Sequence, residues 1–319
     1  MASLREQVRE ELLEYWKGGF DEYKYSDDYK YYVNDINKNL IGGNMDDAHR
    51  KMFENGSGSE LKDTPAKAKA IDSSSMLAYN FFRNINDKCT ITIDHVEYNK
   101  VFFEVKLQTL KGSSTPANLD VVLVSKDKQT VLFIESKFLE YLENGAAEFS
   151  DSYTKEDSYF IDNKVDVKDL LKMSNIFENN RGHYNYGIKQ NICHLIGISN
   201  LKNSPTAQKW FSNTYKKGEY KDVYTDYDIK VFLGAKTYRF MNVLFCPTDE
   251  DAKKAYDRYE TDLRKFYDKL PANFKKTYIH EESFIMNYRE IFDLLSDKLQ
   301  DEIRKELMNR YINFHSVKK

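Results

Sequence analysis

The chain has 319 residues, 41% hydrophobic and 31% charged, with only 13 Gly and 5 Pro. That is enough for one large core with smaller additions, and too few turn formers for long disordered linkers. The formal charge of −3 and a pI of about 6.1 argue against a protein that coats nucleic acid indiscriminately, but they permit one local cleft whose acidic centre is offset by cations. Cys89, Cys193 and Cys246 are scattered, with no Cys-x-x-Cys or Cys/His cluster, which excludes a structural zinc site and points to a reduced, cytoplasmic protein. No apolar run is long enough for a membrane span, and the charged opening MASLREQVREELLEYW lacks the apolar centre of a signal peptide.

In chain order, Leu4, Val8, Leu12 and Leu13 predict a helix over 3–17. Tyr29, Tyr32, Val33, Ile36 and Leu40 predict a second over 27–41. ENGSGSELKDTPAKAKA reads as a polar loop, and any of Asp72 to Ser74 can cap a helix running to Arg83. CTITIDHVEYNKVFFEVKLQ alternates as two strands with a turn near Tyr98-Asn99. VVLV and VLFI, joined by SKDKQT, add two more strands. Helices are expected over 165–178, 187–199 and 205–215. DIKVFLG and RFMNVLFC read as late strands, and 249–268 and 286–313 as charged amphipathic helices.

This order predicts an α/β (α+β) fold with a mixed central sheet wrapped by helices from both ends. Residues 1–54 would form a helical extension and residues 55–319 the main domain.

The informative stretch is NLDVVLVSKDKQTVLFIESKF, residues 118–138. Both apolar runs are apolar on each face, as interior strands are, yet Asp120 opens one, and Glu135 and Lys137 close the other. A turn centred on Asp127-Lys128 sets Asp120 opposite Glu135, with Cβ atoms roughly 4.5–5.5 Å apart, where like charges repel unless something positive lies between them. Period two places Lys137 on the same face as Glu135. A hard divalent cation suits two such carboxylates. It can polarise a phosphoryl oxygen and activate water, while a nearby amine orients or deprotonates that water or stabilises the transition state. Solvent-exposed strand ends also carry acids and lysines, so spacing alone leaves a structural role open.

On these residues the chain resembles the PD-(D/E)XK nuclease superfamily: Asp120 matches the motif aspartate and Glu135-Ser136-Lys137 matches E-x-K. GSGSELKD, SSSMLAYNFF, FFEVKLQ and ESKFLEY are similar to a bacterial, restriction-endonuclease-like branch. The resemblance spans about residues 55–200 and, more loosely, the late strands and NYREIFDLL. It implies a helix-flanked core sheet, Mg²⁺-dependent cleavage of DNA (Mn²⁺ substituting), and a role in restriction or genome defence. Asp120, Glu135 and the main-chain carbonyl of Ser136 would hold metal, and Lys137 would be the catalytic lysine. The sequence departs from the motif in that Pro116 precedes Asp120 by four residues instead of adjoining it. Glu104 in FFEVK is chosen as the additional acid, a metal ligand on the face of Phe102, Lys106 and Gln108; Glu60 and Glu97 are its rivals. Gln190 is the candidate polar helix residue facing substrate, set against a solvated helix position.

His183 and His194 flank the helices that would cover the site, and packing is the simpler reading of both. TYKKGEYKD (214–222) mixes Lys and Tyr in a loop that reads as solvated, although it could touch phosphates or bases. GSGS lacks the lysine of a phosphate-binding loop. The leading expectation is a metal-dependent endonuclease on double-stranded DNA, acting as a homodimer if one centre per chain must cut both strands. The alternatives are a non-catalytic nucleic-acid- or protein-binding member of the same fold, and a nuclease for RNA or structured DNA.

Overall fold

A computed structural model of the protein describes residues 3–19, 25–26, 29–56, 60–112, 115–143, 146–174, 184–247 and 249–313. Helix α1 (Leu4–Gly19) is followed by the short strands β1 (Tyr25–Ser26) and β2 (Tyr29–Val33), then α2 (Asp47–Asn55) and α3 (Ser74–Phe82). Next come the sheet strands β3 (Ile91–Ile93), β4 (Val96–Leu107), β5 (Ala117–Ser125) and β6 (Thr130–Lys137). The short β7 (Ala146–Ala147), α4 (Lys164–Ser174), β8 (Tyr184–Asn185), α5 (Tyr186–Asn203), α6 (Pro205–Tyr215) and α7 (Asp226–Gly234) cross over to β9 (Thr237–Leu244). Helices α8 (Glu250–Lys269) and α9 (Ala272–Tyr278) lead to β10 (Ile285–Asn287), α10 (Tyr288–Leu295) and α11 (Asp301–Leu307). None of the described helices is long and apolar enough to cross a membrane.

The main sheet has the order β10-β9-β6-β5-β4-β3. Strands β3 to β6 form an antiparallel meander, while β6, β9 and β10 are parallel to one another. The expected mixed sheet between helices is therefore what the chain builds. Strands β5 and β6 lie in the interior and bury apolar side chains on both faces. On one face Phe103 packs against Phe53 of α2 and Tyr79 of α3; on the other Phe102 stacks on Tyr224 and meets Phe232 of α7.

The β5–β6 hairpin has the register that a turn centred on Asp127-Lys128 requires, pairing Val124 with Val131 and Val121 with Ile134. Lys128 takes a positive φ of 62°, and Asp127 tightens the turn by accepting from Ser125 Oγ and Gln129 N. The β3–β4 turn falls at Asp94-His95, not near Tyr98-Asn99; φ values of 51° and 62° make it a two-residue loop of the kind Asp and His tolerate.

Three further expectations are corrected. The described part of 27–41 is strand β2 and a 3-10 turn, Ile36–Asn39, capped by Asp35, instead of a helix. Its aromatic and β-branched run suits an extended chain, and Ile71 N donates to Tyr31 O across it. DIKVFLG is helix α7 instead of a strand: Thr225 and Asp228 form a reciprocal capping box, and Asp228, Ile229 and Phe232 are buried at helical spacing. The stretch 286–313 is broken into β10, α10, a 3-10 turn, α11 and a π-helical turn, with a second capping box at Asn287 and Glu290 starting α10. Helix α2, capped by Asp46, occupies residues the sequence reading left unassigned, and its end overlaps the expected polar loop.

Helix α1 is fixed by charge as well as by Val8, Leu12 and Leu13. The buried carboxylate of Asp72 accepts from Arg5 Nε at 3.0 Å and Arg9 Nε at 2.8 Å. Asp72→Asn should cost about 1.5–3 kcal/mol, the range for hydrogen bonds to charged groups. Urea melts check this, and an unchanged midpoint would show that apolar packing alone docks the helix.

Candidate functional site

Past Val121 and Ile134 the β5–β6 ladder gives way, while β6 stays paired with β9 as far as Lys137 and Leu244. There the Asp120 carboxylate replaces a strand carbonyl and accepts from Ser136 N at 2.7 Å. On the other side, β4 and β5 pair Phe103 with Val121 and Val105 with Leu119, which leaves Glu104 opposite Asp120. Glu104, Asp120 and Glu135 therefore occupy one row across three adjacent strands. Glu104 has a φ of 55°, uncommon for a residue with a Cβ and costly inside a strand. Gly56 allows this approach, since a Cβ there would meet Glu104 Oε2 at 2.7 Å.

The row opens into a cleft of about 1130 Å³, whose lining includes Glu60, Glu104, Asp120, Glu135, Lys137 and His194. The charged groups lie deep in it: Glu104 is 2% exposed, Glu135 1% and Lys137 6%. Lys137 Nζ is bound to Glu135 Oε1, and His194 Nε2 lies 2.8 Å from Glu135 Oε2. Burial pushes the Glu135 pKa up, but Lys137 and His194 outweigh it and bring it down to about 2. Burial likewise disfavours the Lys137 ammonium, and Glu135, Glu140 and Asp120 reverse that, holding its pKa well above the usual lysine range.

Glu104 and Asp120 have no such cation to themselves. Burial first, then the neighbouring Glu60, raises the Glu104 carboxyl to about 8, although Asn118 Nδ2 donates to it. Burial and the Glu135 charge push Asp120 well above its ordinary range, despite Lys137 and the Ser136 N–H. Glu60 is also raised by burial, against the Ser75 hydroxyl that donates to it at 2.8 Å. The cleft thus holds more carboxylate than its cations neutralise.

Hard oxygen donors in excess fit a divalent cation, and Glu104 and Asp120 are the side chains that could hold one. Among the described residues no three His, Cys, Asp or Glu side chains are grouped so that they could hold a metal ion. Both Glu135 oxygens are engaged, and one Asp120 oxygen is on Ser136 N.

Of the other sequence candidates, Ser136 points its side chain to the opposite face, where Oγ meets Ser74 O at 3.1 Å and Tyr288 Oη at 2.7 Å. Glu97 sits at the far end of β4, exposed and paired with Lys126. Gln190 lines the cleft, and its Oε1 is buried with no hydrogen-bond partner among the described residues. His183 lies outside the described residues. The 214–222 segment is not a solvated loop: it spans the end of α6 and a 3-10 turn, Gly218–Asp222, with Tyr215 and Tyr220 packed together.

Sequence reasoning missed His194, read as packing, and the amide pair of Asn191 and Asn242 beneath it. The available signal was spacing: Tyr186, Lys189, Gln190, Cys193 and His194 form one helical face of α5, and all line the cleft.

A mixed sheet with acids and a lysine at the splayed end of its central strands is the architecture of a restriction-endonuclease-like protein. A family model described as Restriction Endonuclease associating with ARP matches residues 1–312, and the chain belongs to that family. No curated protein and no solved structure matches it.

The Glu104 pKa has a consequence for stability. Its folded value of about 8 lies above its ordinary 4.5, so between those pH values the folded chain holds a proton that the unfolded chain has released. Stability in metal-free buffer therefore falls as pH rises through this window. Glu104→Gln should gain on the order of 4 kcal/mol at pH 8 and nothing near pH 4. Urea melts across that range check this; a gain independent of pH would place the burden elsewhere.

Proposed function

We propose that this cleft hydrolyses phosphodiester bonds in DNA with Mg²⁺, Mn²⁺ substituting, as a restriction-type endonuclease in genome defence. The observation that carries this reading is the single row of Glu104, Asp120 and Glu135, with Lys137 one strand step beyond, at the bottom of one cleft. Family membership supports the nuclease class, and the excess of buried carboxylate supports the cation.

Asp120 and Glu104 would hold the cation, with Glu135 beside them and the Ser136 carbonyl as the further donor that the motif resemblance implies. When bound, the cation would polarise the phosphoryl oxygen and make its water a better nucleophile. The chain's own groups would do the rest. Lys137, protonated through its contact with Glu135, faces the negative charge that builds on the phosphoryl oxygens. As an ammonium it stabilises that charge in preference to abstracting a proton. Glu135 stays ionised and keeps the ammonium in place. Gln190 has an uncommitted carbonyl oxygen for a donor on substrate or water. The walls keep bulk water from the charges, which strengthens each interaction. One such centre per chain cuts both strands of a duplex when two chains pair.

The test is cleavage of mixed double- and single-stranded DNA with Mg²⁺ or Mn²⁺. Lys137→Met and Asp120→Asn should each lower kcat by about 10²–10³-fold, the scale for losing a group that stabilises transition-state charge. An inert wild type on every DNA, with both metals, would favour a binding protein on the same fold. Equal activity in both variants would put the chemistry elsewhere.

A further inference from the structure

Helix α5 is fixed to the sheet beside the acid row. Asn242 of β9 lies opposite Glu135 in the parallel β6–β9 register. Its amide and that of Asn191 exchange hydrogen bonds, Asn191 Nδ2 to Asn242 Oδ1 at 3.2 Å and Asn242 Nδ2 to Asn191 Oδ1 at 2.9 Å. Both residues are fully buried, so sliding or rotating α5 would break both of these hydrogen bonds; Asn191 would keep only its donation to Gly187 O, within the helix. One helical turn along from Asn191, this pairing sets the His194 ring over Glu135, with Phe240 closing the neighbouring side at a ring separation of 5.8 Å. Glu135 Oε2 can only accept, so Nε2 carries the proton in this contact. His194 Nδ1 is buried and has no hydrogen-bond partner among the described residues. The ring's one polar contact there is therefore with the carboxylate.

We propose that His194 is a positioning residue: it holds Glu135 by one oxygen so that the other is presented to Lys137 and to a cation in the cleft. This rests on the nuclease reading for its use, but its geometry does not. A carboxylate with two free torsions near its end would otherwise swing among Lys137, the cation and the cleft wall. Fixing Oε2 leaves Oε1 the only oxygen that faces the reacting groups. Carboxylates that hold metals are themselves held by outer hydrogen bonds, and loss of such a partner typically costs about 10–100-fold in metal affinity or activity.

The experiment compares His194→Gln, His194→Asn and His194→Phe, each shown by thermal melts to be folded. Mn²⁺ affinity is measured by calorimetry, and Lys137 accessibility by amine acylation and mass spectrometry. Gln has an N–H on a side chain long enough to reach Glu135; Asn has the same group on a shorter one. His194→Asn and His194→Phe should weaken Mn²⁺ binding by about 10–100-fold and speed acylation of Lys137, while His194→Gln stays close to wild type. Mn²⁺ affinity and Lys137 acylation that match wild type in both His194→Asn and His194→Phe would overturn the proposal. A loss equal in all three variants would also overturn it, showing a packing role. If the wild type binds no Mn²⁺ and cuts no DNA, the nuclease reading fails, and Lys137 acylation alone still decides whether His194 holds Glu135.

Discussion

An ionised carboxylate removed from water must meet positive charge or hydrogen-bond donors, or else take up a proton. This constraint organises the whole end of the sheet. Glu135 meets it with Lys137 on its own strand and His194 on α5, and so stays charged at the bottom of the cleft. Asp120 and Glu104, one and two strands away, meet it only in part, and their carboxyls are driven toward the protonated form. The same row thus contains one satisfied acid and two unsatisfied ones. An apolar row would be more stable. A cation joining these acids would relieve their mutual repulsion.

The backbone shows the same tension. Central strands normally exchange hydrogen bonds to their ends, but β5 leaves β6 at the acid row, and the Asp120 side chain takes over a main-chain contact. On the other flank, Glu104 adopts a positive φ in mid-strand, and a glycine at the end of α2 makes room for its carboxylate. These departures coincide with the row; farther back, the β4–β5 pairing shifts register once more, between Tyr98 and Lys100. A backbone outlier in mid-strand beside a charged cleft is a feature that functional sites often show.

The sequence disclosed the hairpin well, because its information is local. Two apolar runs and a short polar turn fix a register, and that register aligns Asp120 with Glu135 without knowledge of anything else. The choice of Glu104 over Glu97 was less legible. Both are acids on one long strand, and only the β4–β5 register, in which the end of β4 pairs with the start of β5, decides which of them meets Asp120. DIKVFLG misled because its apolar spacing suits either structure over so short a run; the deciding residues, Thr225 and Asp228, cap a helix by a side-chain exchange that hydrophobic pattern does not register. His194 was hidden for another reason. Its partner lies 59 positions away in the chain, and a lone histidine between Ile192 and Leu195 looks like any core-edge ring.

Helix α5 also explains why its face was hard to read. Gly187, Ile188, Asn191, Ile192, His194 and Leu195 are all buried, so no clean polar stripe exists. A helix enclosed on most sides would ordinarily be apolar throughout. Here Asn191 and His194 are buried, and both find partners on the sheet, one on each of two neighbouring strands. Each contact alone could be satisfied by small shifts of the helix. Together they fix both its translation and its rotation, since moving to improve one breaks the other. The amide pair therefore stabilises the helix and determines where the imidazole lands. The amide pair itself touches neither Glu135 nor Lys137; it bears on them through the imidazole that meets Glu135.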